Sequence, residues 1–289
     1  MRDKLSVGLV QMACGEKPEE NVAKAAEKIR EAAKKGADLV CLQELYRSPY
    51  FPQTEDHANF ALSETIPGPS TESLGKVARE SKVCVIVPIF EKRAQGVYHN
   101  TSVVLNDRGE IAGKYRKMHI PDDPRFFEKF YFAPGDLGFP NFDVHGAKVS
   151  SLICWDQWYP EGARLASLAG AQVLFYPTAI GWGDGELEHL KPRQKEAWEI
   201  MQRSHAIANG VYVCAVNRVG REGELEFWGN SFIAGPGGEI VARASGTKEE
   251  VIVASLDLRE IEKVRQGWPF LRDRRVDAYR GLTSRLLDE

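Results

Sequence analysis

Short apolar runs alternate with segments of helical periodicity along most of the chain. Residues 5–12 and 38–43 are typical of strands, and residues 19–35 between them carry apolar side chains three or four positions apart, which predicts a helix. A second predicted helix is capped by Ser70. Further predicted strands lie at residues 83–90, 101–105 and 110–115. Strands and helices that alternate in this order predict a layered α/β domain.

The second half of the chain repeats the order of the first. Three pairs of short segments match at a spacing of roughly 130 residues: 36–40 with 170–174, 83–87 with 211–215, and 102–112 with 231–241. Buried strands rich in Val, Ile and Leu also produce such matches by chance. We nevertheless expect two β-α-β-α-β-β halves related by a pseudo-two-fold axis, with the two sheets packed together and the helices outside.

The composition favours one globular domain that acts on a small molecule. The 289 residues are 43% hydrophobic and 27% charged, which is enough for a large core, and we predict a single domain over residues 1–266. The 38 basic and 41 acidic residues are mixed along the chain, so we expect no nucleic-acid partner. No segment approaches the ~20 apolar residues that span a bilayer, so we expect no membrane partner.

The five cysteines form an odd set without a C-x-x-C pair: Cys14, Cys41, Cys84, Cys154 and Cys214. This pattern argues against a disulfide framework and against a thiolate metal site. The N-terminal segment also lacks the apolar run and cleavage site of a signal peptide. We therefore expect a cytoplasmic protein with free thiols and no bound metal.

Cys154 differs from the other four cysteines in its surroundings. It ends the strand-like run 148–153 and is followed at once by polar and aromatic residues, 155–158. Catalytic side chains favour the carboxyl ends of strands, where the chain leaves the sheet into a crevice. A helix that begins near Pro160 would help to stabilise a thiolate. Cys154 is therefore the candidate nucleophile, and the other four are expected to be buried and inert.

Two other polar residues stand where a predicted strand ends. Glu44 follows the apolar run 39–43, and Lys117 lies between a strand and a loop. A thiol with an ordinary pKa of ~8.5 needs a base or a cation beside it to react at neutral pH. None of the six histidines lies in a recognisable cysteine-protease setting. Glu44 as general base and Lys117 as the cation facing the oxyanion would complete a set with Cys154.

Four segments resemble signature sequences of the nitrilase superfamily, in the same order and at the same spacing: residues 42–45, 115–119, 153–156 and 230–236. The resemblance runs along nearly the whole chain and implies a four-layer α-β-β-α sandwich without a metal or other cofactor. It also implies that Glu44, Lys117 and Cys154 are catalytic. Glu128, in the loop after the lysine, would orient Lys117 or the substrate, and the Trp155 backbone N–H would help to hold the oxyanion.

The residues around the nucleophile predict the chemistry of the substrate pocket. Cys154 is followed by aromatic and acidic side chains and by no cation, which suits an ammonium group on an alkyl chain better than a carboxylate. Asp184, Glu186 and Glu188 add negative charge in a later loop. The alternative is that the aromatic residues only pack. The predicted substrate-binding residues are Tyr50, Trp155, Asp156, Gln157, Trp158, Pro177, Thr178 and Ala179.

Two longer segments, residues 153–161 and 119–136, are similar to superfamily members of polyamine biosynthesis that hydrolyse N-carbamoylputrescine to putrescine, carbon dioxide and ammonia. Loop 182–190 differs from the corresponding loop of the plant members, so the sequence does not identify the residue that contacts the distal amine of the substrate. One alternative is another linear-amide hydrolase, such as an ω-amidase or a β-ureidopropionase-like hydrolase of N-carbamoyl amino acids. The other is a nitrilase-fold interaction protein without turnover.

The chain changes character beyond residue 266. Residues 267–289 mix apolar side chains with many arginines and aspartates, a combination that is too apolar for a free tail and typical of interfaces. Members of the superfamily commonly dimerise and lay this segment across the neighbouring subunit. We therefore expect a homodimer or a larger even-numbered homo-oligomer, with residues 267–289 as an extension docked on a partner subunit. The alternative is a tail folded back on its own chain.

Overall fold

The computed structural model describes residues 3–287. The first two residues of the predicted domain and the last two of the predicted extension, 288–289, lie outside the described residues. The helices are α1 (Pro18–Lys34), α2 (Pro69–Ser81), α3 (Glu128–Tyr131), α4 (Pro160–Leu168), α5 (Lys191–Asn209) and α6 (Arg259–Gly267). The strands are β1 (Lys4–Gln11), β2 (Leu39–Leu42), β3 (Cys84–Ala94), β4 (Val97–Leu105), β5 (Ile111–Arg116), β6 (Phe142–Val144), β7 (Ala147–Ser151), β8 (Val173–Pro177), β9 (Gly181–Gly183), β10 (Tyr212–Val216), β11 (Val219–Glu222), β12 (Leu225–Trp228), β13 (Phe232–Ala234), β14 (Ile240–Arg243) and β15 (Glu250–Asp257). Short 3₁₀ helices occupy Phe51–Gln53, His57–Leu62, Cys154–Trp158, Val276–Ala278 and Arg280–Thr283.

The predicted elements of the first half are confirmed to within a few residues, except for the start of α2. We predicted Ser70 as the helix cap, but Gly68 occupies that position and Ser70 lies in the first turn. Pro69 moves the start forward, because its ring pre-sets a helical φ and its missing N–H would have no partner there in any case. The Gly68 N–H donates instead to Thr71 Oγ1, at 2.9 Å.

Within residues 3–287, two six-stranded sheets repeat one strand order. The first runs β15-β1-β2-β3-β4-β5, and the second, followed from one edge, runs β6-β7-β8-β10-β13-β14. In each sheet the central strands β1-β2-β3 or β7-β8-β10 are parallel, and the next two are antiparallel. The internal repeat predicted from the matched segments is therefore confirmed, since each pair of segments falls on equivalent strands.

Apolar side chains on the two faces of each sheet build four layers. Val7 of β1 belongs to a buried cluster with Val173 of the second sheet. Alternation along the strand turns Val10 to the opposite face, where it joins a cluster with Ile29 of α1. Trp198 of α5 packs on the second sheet through Phe232, with ring centroids 5.3 Å apart. The predicted α-β-β-α sandwich is confirmed.

The strand ends of both sheets place the candidate residues. β2 ends shortly before Glu44, β5 ends immediately before Lys117, and β7 ends shortly before Cys154. The side chains that follow these strands are fixed by the hydrogen-bonded sheets and not by mobile loops. No helix within the described range is long and apolar enough to cross a bilayer.

The segment after α6 leaves large apolar side chains in solvent. Trp268, Leu282, Leu286 and Leu287 are exposed to 57%, 66%, 72% and 77%. Two 3₁₀ turns shape this segment, and none of these four side chains belongs to a hydrophobic cluster of the chain. The apolar surface predicted from the sequence is therefore uncovered in a single subunit.

Candidate active site

Cys154 lies at a strained bend immediately after the second sheet. Its φ of 43° is in the left-handed region, which a non-glycine residue adopts only when its surroundings hold it there. It begins the 3₁₀ helix Cys154–Trp158, and the preceding Ile153 N–H donates to Asp156 Oδ2 at 2.9 Å. Cys154 Sγ is 3.9 Å from the carbonyl oxygen of Ala179. The bend turns the thiol out of the sheet.

Asp156 supports this bend and does not face a substrate. Its buried carboxylate accepts hydrogen bonds from the Tyr115 hydroxyl (2.7 Å), the His119 N–H (3.0 Å) and the Ile153 N–H. We expected it to attract a substrate ammonium group. That expectation is not supported, because both oxygens already have protein donors and the residue is not part of the pocket wall.

Glu44, Lys117 and Glu128 form a buried cluster of alternating charge. Lys117 Nζ donates to Glu44 Oε1 at 2.9 Å and to Glu128 Oε2 at 2.6 Å. None of the three side chains has exposed surface. The Tyr50 hydroxyl donates to Glu128 Oε1 (2.6 Å), and Asn100 Nδ2 donates to Glu44 Oε1 (2.7 Å). The structure thus brings together residues that were predicted from separate segments of the chain.

One oxygen of this cluster has no donor. Glu44 Oε2 is buried and has no hydrogen-bond partner among residues 3–287. Buried polar atoms are nearly always paired, so an unpaired one points to a role that needs it free. Glu44 Oε2 is available to accept a proton, while Oε1 holds Lys117 and Asn100.

Burial and neighbouring charges set the protonation of the site. Burial alone would lower the pKa of Lys117, but the carboxylates of Glu128 and Glu44 outweigh it and hold that pKa above its ordinary value. Burial raises the pKa of Glu128 to about 7, against the opposing effect of Lys117. Burial, and then the charge of Glu44, raises the pKa of the Cys154 thiol well above its ordinary value. The resting site therefore holds a cationic lysine and a neutral thiol.

This neutral thiol differs from the helix-stabilised thiolate that we expected. α4 does begin at Pro160, but Cys154 starts a separate 3₁₀ turn ahead of it. A thiolate beside the two carboxylates of Glu44 and Glu128 would add negative charge that Lys117 alone cannot balance. The thiol must therefore give its proton to a base as it reacts.

A pocket of about 570 Å³ opens beside Cys154. Four of the predicted substrate-binding residues line it: Trp155, Gln157, Trp158 and Ala179. Tyr50 does not, because its hydroxyl is turned to Glu128. Pro177 and Thr178 do not either, because they are buried at the end of β8, where Thr178 Oγ1 donates to Gln157 Oε1 at 3.2 Å.

Acidic side chains lie on the pocket wall, and they differ in how far they are neutralised. Asp184 pairs with Arg221, whose Nη2 is 2.6 Å from Asp184 Oδ2. The Glu186 side chain has no hydrogen bond or ion pair within residues 3–287. Glu188, which we also expected to contribute, is outside the wall and pairs with Lys191 at 2.5 Å. Among these three, Glu186 is therefore the one that has no cation at hydrogen-bond distance within the described residues, although its charge acts on Lys191.

Gln157, a residue of the same pocket lining, has a buried donor without a partner. Its Oε1 accepts from Trp198 Nε1 (2.8 Å) and from Gln202 Nε2 (2.7 Å). Because an indole N–H can only donate, the contact with Trp198 fixes which amide atom faces it. Gln157 Nε2 is buried and has no acceptor among the residues that the structure describes. An acceptor atom of a substrate would satisfy it.

Two residues of the site lie outside every segment that the sequence analysis singled out as a motif. Trp228 lines the pocket, and Asn100 holds Glu44, although they come from strands of different sheets. Only the fold brings them together. No group of three or more His, Cys, Asp and Glu side chains within residues 3–287 is arranged to hold a metal ion.

Comparison with known proteins points to one family. The carbon-nitrogen hydrolase family matches residues 6–266. The N-carbamoylputrescine amidase of Oryza sativa subsp. japonica is 45% identical, over 97% of this chain and 95% of that protein. The citrullinase of Francisella tularensis subsp. tularensis is 36% identical, over 95% of this chain and 96% of that protein. The crystal structure of a carbon-nitrogen hydrolase from Helicobacter pylori G27 has a TM-score of 0.95 and 44% identity, covering 98% of this chain and 100% of that one.

The raised pKa of Glu128 predicts a stability that falls with pH. A carboxyl group whose pKa is higher in the folded state favours folding when protonated, and that contribution is lost as the pH rises from about 4.5 to about 7. Glu128→Gln cannot lose a proton, so its free energy of unfolding should vary less across this window. Urea unfolding at several pH values measures the difference, with the exposed Glu262→Gln on α6 as control. Equal pH slopes in wild type and Glu128→Gln would contradict the prediction.

Proposed function

The chain belongs to the carbon-nitrogen hydrolase family, and we propose that it hydrolyses the ureido group of N-carbamoylputrescine to putrescine, carbon dioxide and ammonia. It is a hydrolase of amide or ureido carbon–nitrogen bonds in the nitrilase superfamily. The observation that carries the proposed mechanism is the buried cluster of Glu44, Lys117 and Glu128 beside the neutral thiol of Cys154. Relatives that act on N-carbamoylputrescine and the acidic pocket wall support the choice of substrate.

Cys154 is the nucleophile in this proposal, and Glu44 is its base. Glu44 Oε2 takes the thiol proton as Sγ forms a bond to the ureido carbon. The carbonyl π electrons move onto oxygen, where Lys117 Nζ and the Trp155 backbone N–H stabilise the negative charge. When the carbonyl re-forms, one carbon–nitrogen bond breaks and the departing nitrogen takes the proton from Glu44. A carbamoyl thioester (a thiocarbamate) on Cys154 remains, with the second nitrogen still on its carbonyl carbon.

Hydrolysis of the thioester uses the same groups again. Glu44 removes a proton from water as the water oxygen attacks the thioester carbon, and the Cys154 sulfur leaves and regains that proton. If ammonia departs first, the carbamate that is released breaks down to carbon dioxide and putrescine. The balance is one water consumed for each ureido group.

Glu128 and Tyr50 hold Lys117 ready for the oxyanion. An ammonium group has three N–H donors, and Lys117 uses one on Glu44 and one on Glu128. The third remains for the substrate oxygen. Because the Tyr50 hydroxyl donates to the other oxygen of Glu128, that carboxylate cannot rotate away without losing two hydrogen bonds.

The pocket suits a ureido group joined to a short alkyl chain that ends in a cation. Trp155 and Trp158 provide aromatic faces along which the chain and the ammonium group can lie. Asp184 forms a hydrogen-bonded ion pair with Arg221, whereas Glu186 forms none within residues 3–287 and interacts with Lys191 only at longer range. We therefore assign the distal ammonium group of the substrate to Glu186, and not to Asp156 as the sequence suggested.

Hydrolysis of citrulline is a second candidate, favoured by Gln157. Citrulline has the ureido-alkyl chain of N-carbamoylputrescine but carries a carboxylate beside its ammonium group. The free donor Gln157 Nε2 would bind such a carboxylate. We place this candidate second because Asp123 and Glu186 on the same wall would repel the added negative charge.

The assembly and location of the protein are proposed on separate grounds. The uncovered apolar side chains after α6, together with Leu165 of α4 (50% exposed) and Ile200 of α5 (55% exposed), support a homodimer or larger even-numbered homo-oligomer. A tail folded back on its own chain would have buried them. All five cysteines are unpaired, which supports a reducing compartment such as the cytoplasm.

The assignment of nucleophile and base predicts two losses of activity. Cys154→Ala should end ammonia release from N-carbamoylputrescine with the fold intact, because one small buried side chain replaces another. Glu44→Gln should lower kcat by about 10²- to 10⁴-fold, because an amide of the same shape cannot take the proton. A coupled ammonia assay measures both. Cys84→Ala, a buried cysteine outside the pocket wall, is the matched control and should remain active. Turnover by Cys154→Ala would refute the thiol mechanism.

N-carbamoylputrescine and L-citrulline differ by one carboxylate and therefore test the charge of the pocket. We expect the higher kcat/KM for N-carbamoylputrescine, because the acidic wall repels the carboxylate of L-citrulline. Glu186→Gln should raise KM for N-carbamoylputrescine but leave N-butylurea, which lacks the ammonium group, unaffected.

Glu188→Gln is the matched control for Glu186→Gln, because it lies in the same loop but outside the pocket wall. Glu188→Gln should leave the ratio of kcat/KM for N-carbamoylputrescine to that for L-citrulline unchanged. A higher kcat/KM for L-citrulline would put the second candidate in place of the first. An equal effect of Glu186→Gln on N-carbamoylputrescine and N-butylurea would remove Glu186 from the ammonium contact.

Removal of the tail should change the assembly. A chain truncated after Gln266 loses the exposed apolar residues that we assign to the interface, so it should form a smaller species or aggregate. Light scattering of the truncated and complete chains gives the masses. A truncated chain with the same mass and activity as the complete one would show that the tail has no part in the assembly.

A further inference from the structure

Arg218 is a buried arginine whose guanidinium group reaches the segment that carries Glu44. Its Nη2 donates to the backbone carbonyl oxygens of Glu44 (2.8 Å) and Leu45 (2.9 Å), and its Nη1 donates to that of Ser48 (3.3 Å). The side chain has no exposed surface. Arg218 lies between β10 and β11, so these bonds tie the second half of the chain to the turn after β2.

The bonds hold a backbone conformation that is unfavourable by itself. Leu45 has a φ of 49°, in the left-handed region that a branched, bulky residue rarely adopts. The Arg218 guanidinium group binds the carbonyl oxygens of two consecutive peptides, those on either side of Leu45. The direction in which the Glu44 side chain leaves the strand depends on this turn.

The same guanidinium group is linked to the second carboxylate of the site. Its Nη1 is 2.5 Å from Glu222 Oε2, and that oxygen also accepts the Tyr50 N–H at 2.6 Å. The Tyr50 hydroxyl donates to Glu128. Arg218 also lies over the Phe227 ring, 5.3 Å from its centroid. The buried Arg218–Glu222 pair therefore contacts the segment of Glu44 directly, and it reaches Glu128 only through Tyr50.

We propose that Arg218 is a positioning residue for the hydrolysis. It fixes the turn of Glu44 directly and the Tyr50–Glu128 contact through Glu222, so that both carboxylates meet Lys117 at hydrogen-bond distance. This inference rests on the proposed function, because Arg218 acts through the base. Arg218 is not on the pocket wall, so its loss should lower kcat and leave KM little changed.

The shape of the guanidinium group matters as much as its charge. Arg218 binds three carbonyl oxygens and a carboxylate at once, whereas a lysine offers three donors on a single nitrogen. Arg218→Lys keeps the positive charge but loses the planar arrangement of N–H donors that binds several oxygens at once. It should therefore be intermediate between wild type and Arg218→Met.

The test measures kcat and KM for N-carbamoylputrescine in Arg218→Met and Arg218→Lys, after circular dichroism has shown that each is folded. Displacement of the base by about 1 Å predicts a loss of about 10²-fold in kcat for Arg218→Met. Arg243→Met is the matched control, because Arg243 also pairs with a glutamate, Glu199 (2.8 Å), and lies over an aromatic ring, Phe232 (5.5 Å). It lies on the edge strand β14 and should keep wild-type kcat.

A second measurement separates positioning from a purely structural role. Arg218→Ala leaves a cavity beside the Glu44 turn, which added methylguanidinium can fill. The salt should restore part of kcat while restoring a smaller share of the lost melting temperature. Tetramethylammonium at the same concentration has no N–H donors and should restore nothing. Equal rescue of kcat by both salts, or rescue by neither, would contradict a positioning role for the N–H donors of Arg218.

The outcomes distinguish this inference from the proposed function. If Glu44→Gln keeps full activity, the proposed mechanism fails. If Glu44→Gln is inactive while folded Arg218→Met or Arg218→Lys has wild-type kcat, only the positioning role is overturned. If Arg218→Met does not fold, Arg218→Lys decides in its place. An Arg218→Lys protein that also fails to fold would assign Arg218 to the fold alone and overturn the inference.

Discussion

An ammonium group with no exposed surface needs negative charge within hydrogen-bond reach, and Lys117 imposes that need on everything around it. Glu44 and Glu128 supply the charge, and each then needs donors of its own, which Asn100 and Tyr50 provide. Lys117 Nζ is therefore the centre of a buried hydrogen-bond network in which each acceptor is supported by a further donor. The thiol lies next to this cluster, and burial, reinforced by the charge of Glu44, raises its pKa and keeps it neutral.

The sandwich supplies the rigidity that such a cluster requires. The Lys117 N–H donates to the Asn100 carbonyl oxygen at 2.8 Å, so the lysine and the amide that supports Glu44 belong to paired strands. Cys154 arrives from the other sheet at a bend that Asp156 holds. The residues that we assign to the reaction are therefore held in place by backbone hydrogen bonds of the two sheets.

Local pattern was enough to find the strands and the repeat, and it nominated Glu44, Lys117 and Cys154 at strand ends, whereas their catalytic assignment also rested on the family resemblance. These features follow from periodicity and from residues next to one another in sequence. Asp156 was misplaced because adjacency to the nucleophile does not say which way a side chain turns, and the 3₁₀ turn directs it inward. The contacts of Arg218 with the Glu44 turn join positions 173 and 174 residues apart, a separation over which no local pattern operates.

The two sheets share a strand order, but equivalent strand ends carry different residues. When residues 36–40 are matched with 170–174, Glu44 corresponds to Thr178, which is buried and donates to Gln157. Two equivalent strand ends therefore have unequal chemistry: one holds a carboxylate and the other a hydroxyl that braces a neighbour. The two halves share a strand order but differ in charge at this position. The proposed reaction centre is thus single on a scaffold that is geometrically double, and neither half contains all of the groups that we assign to it.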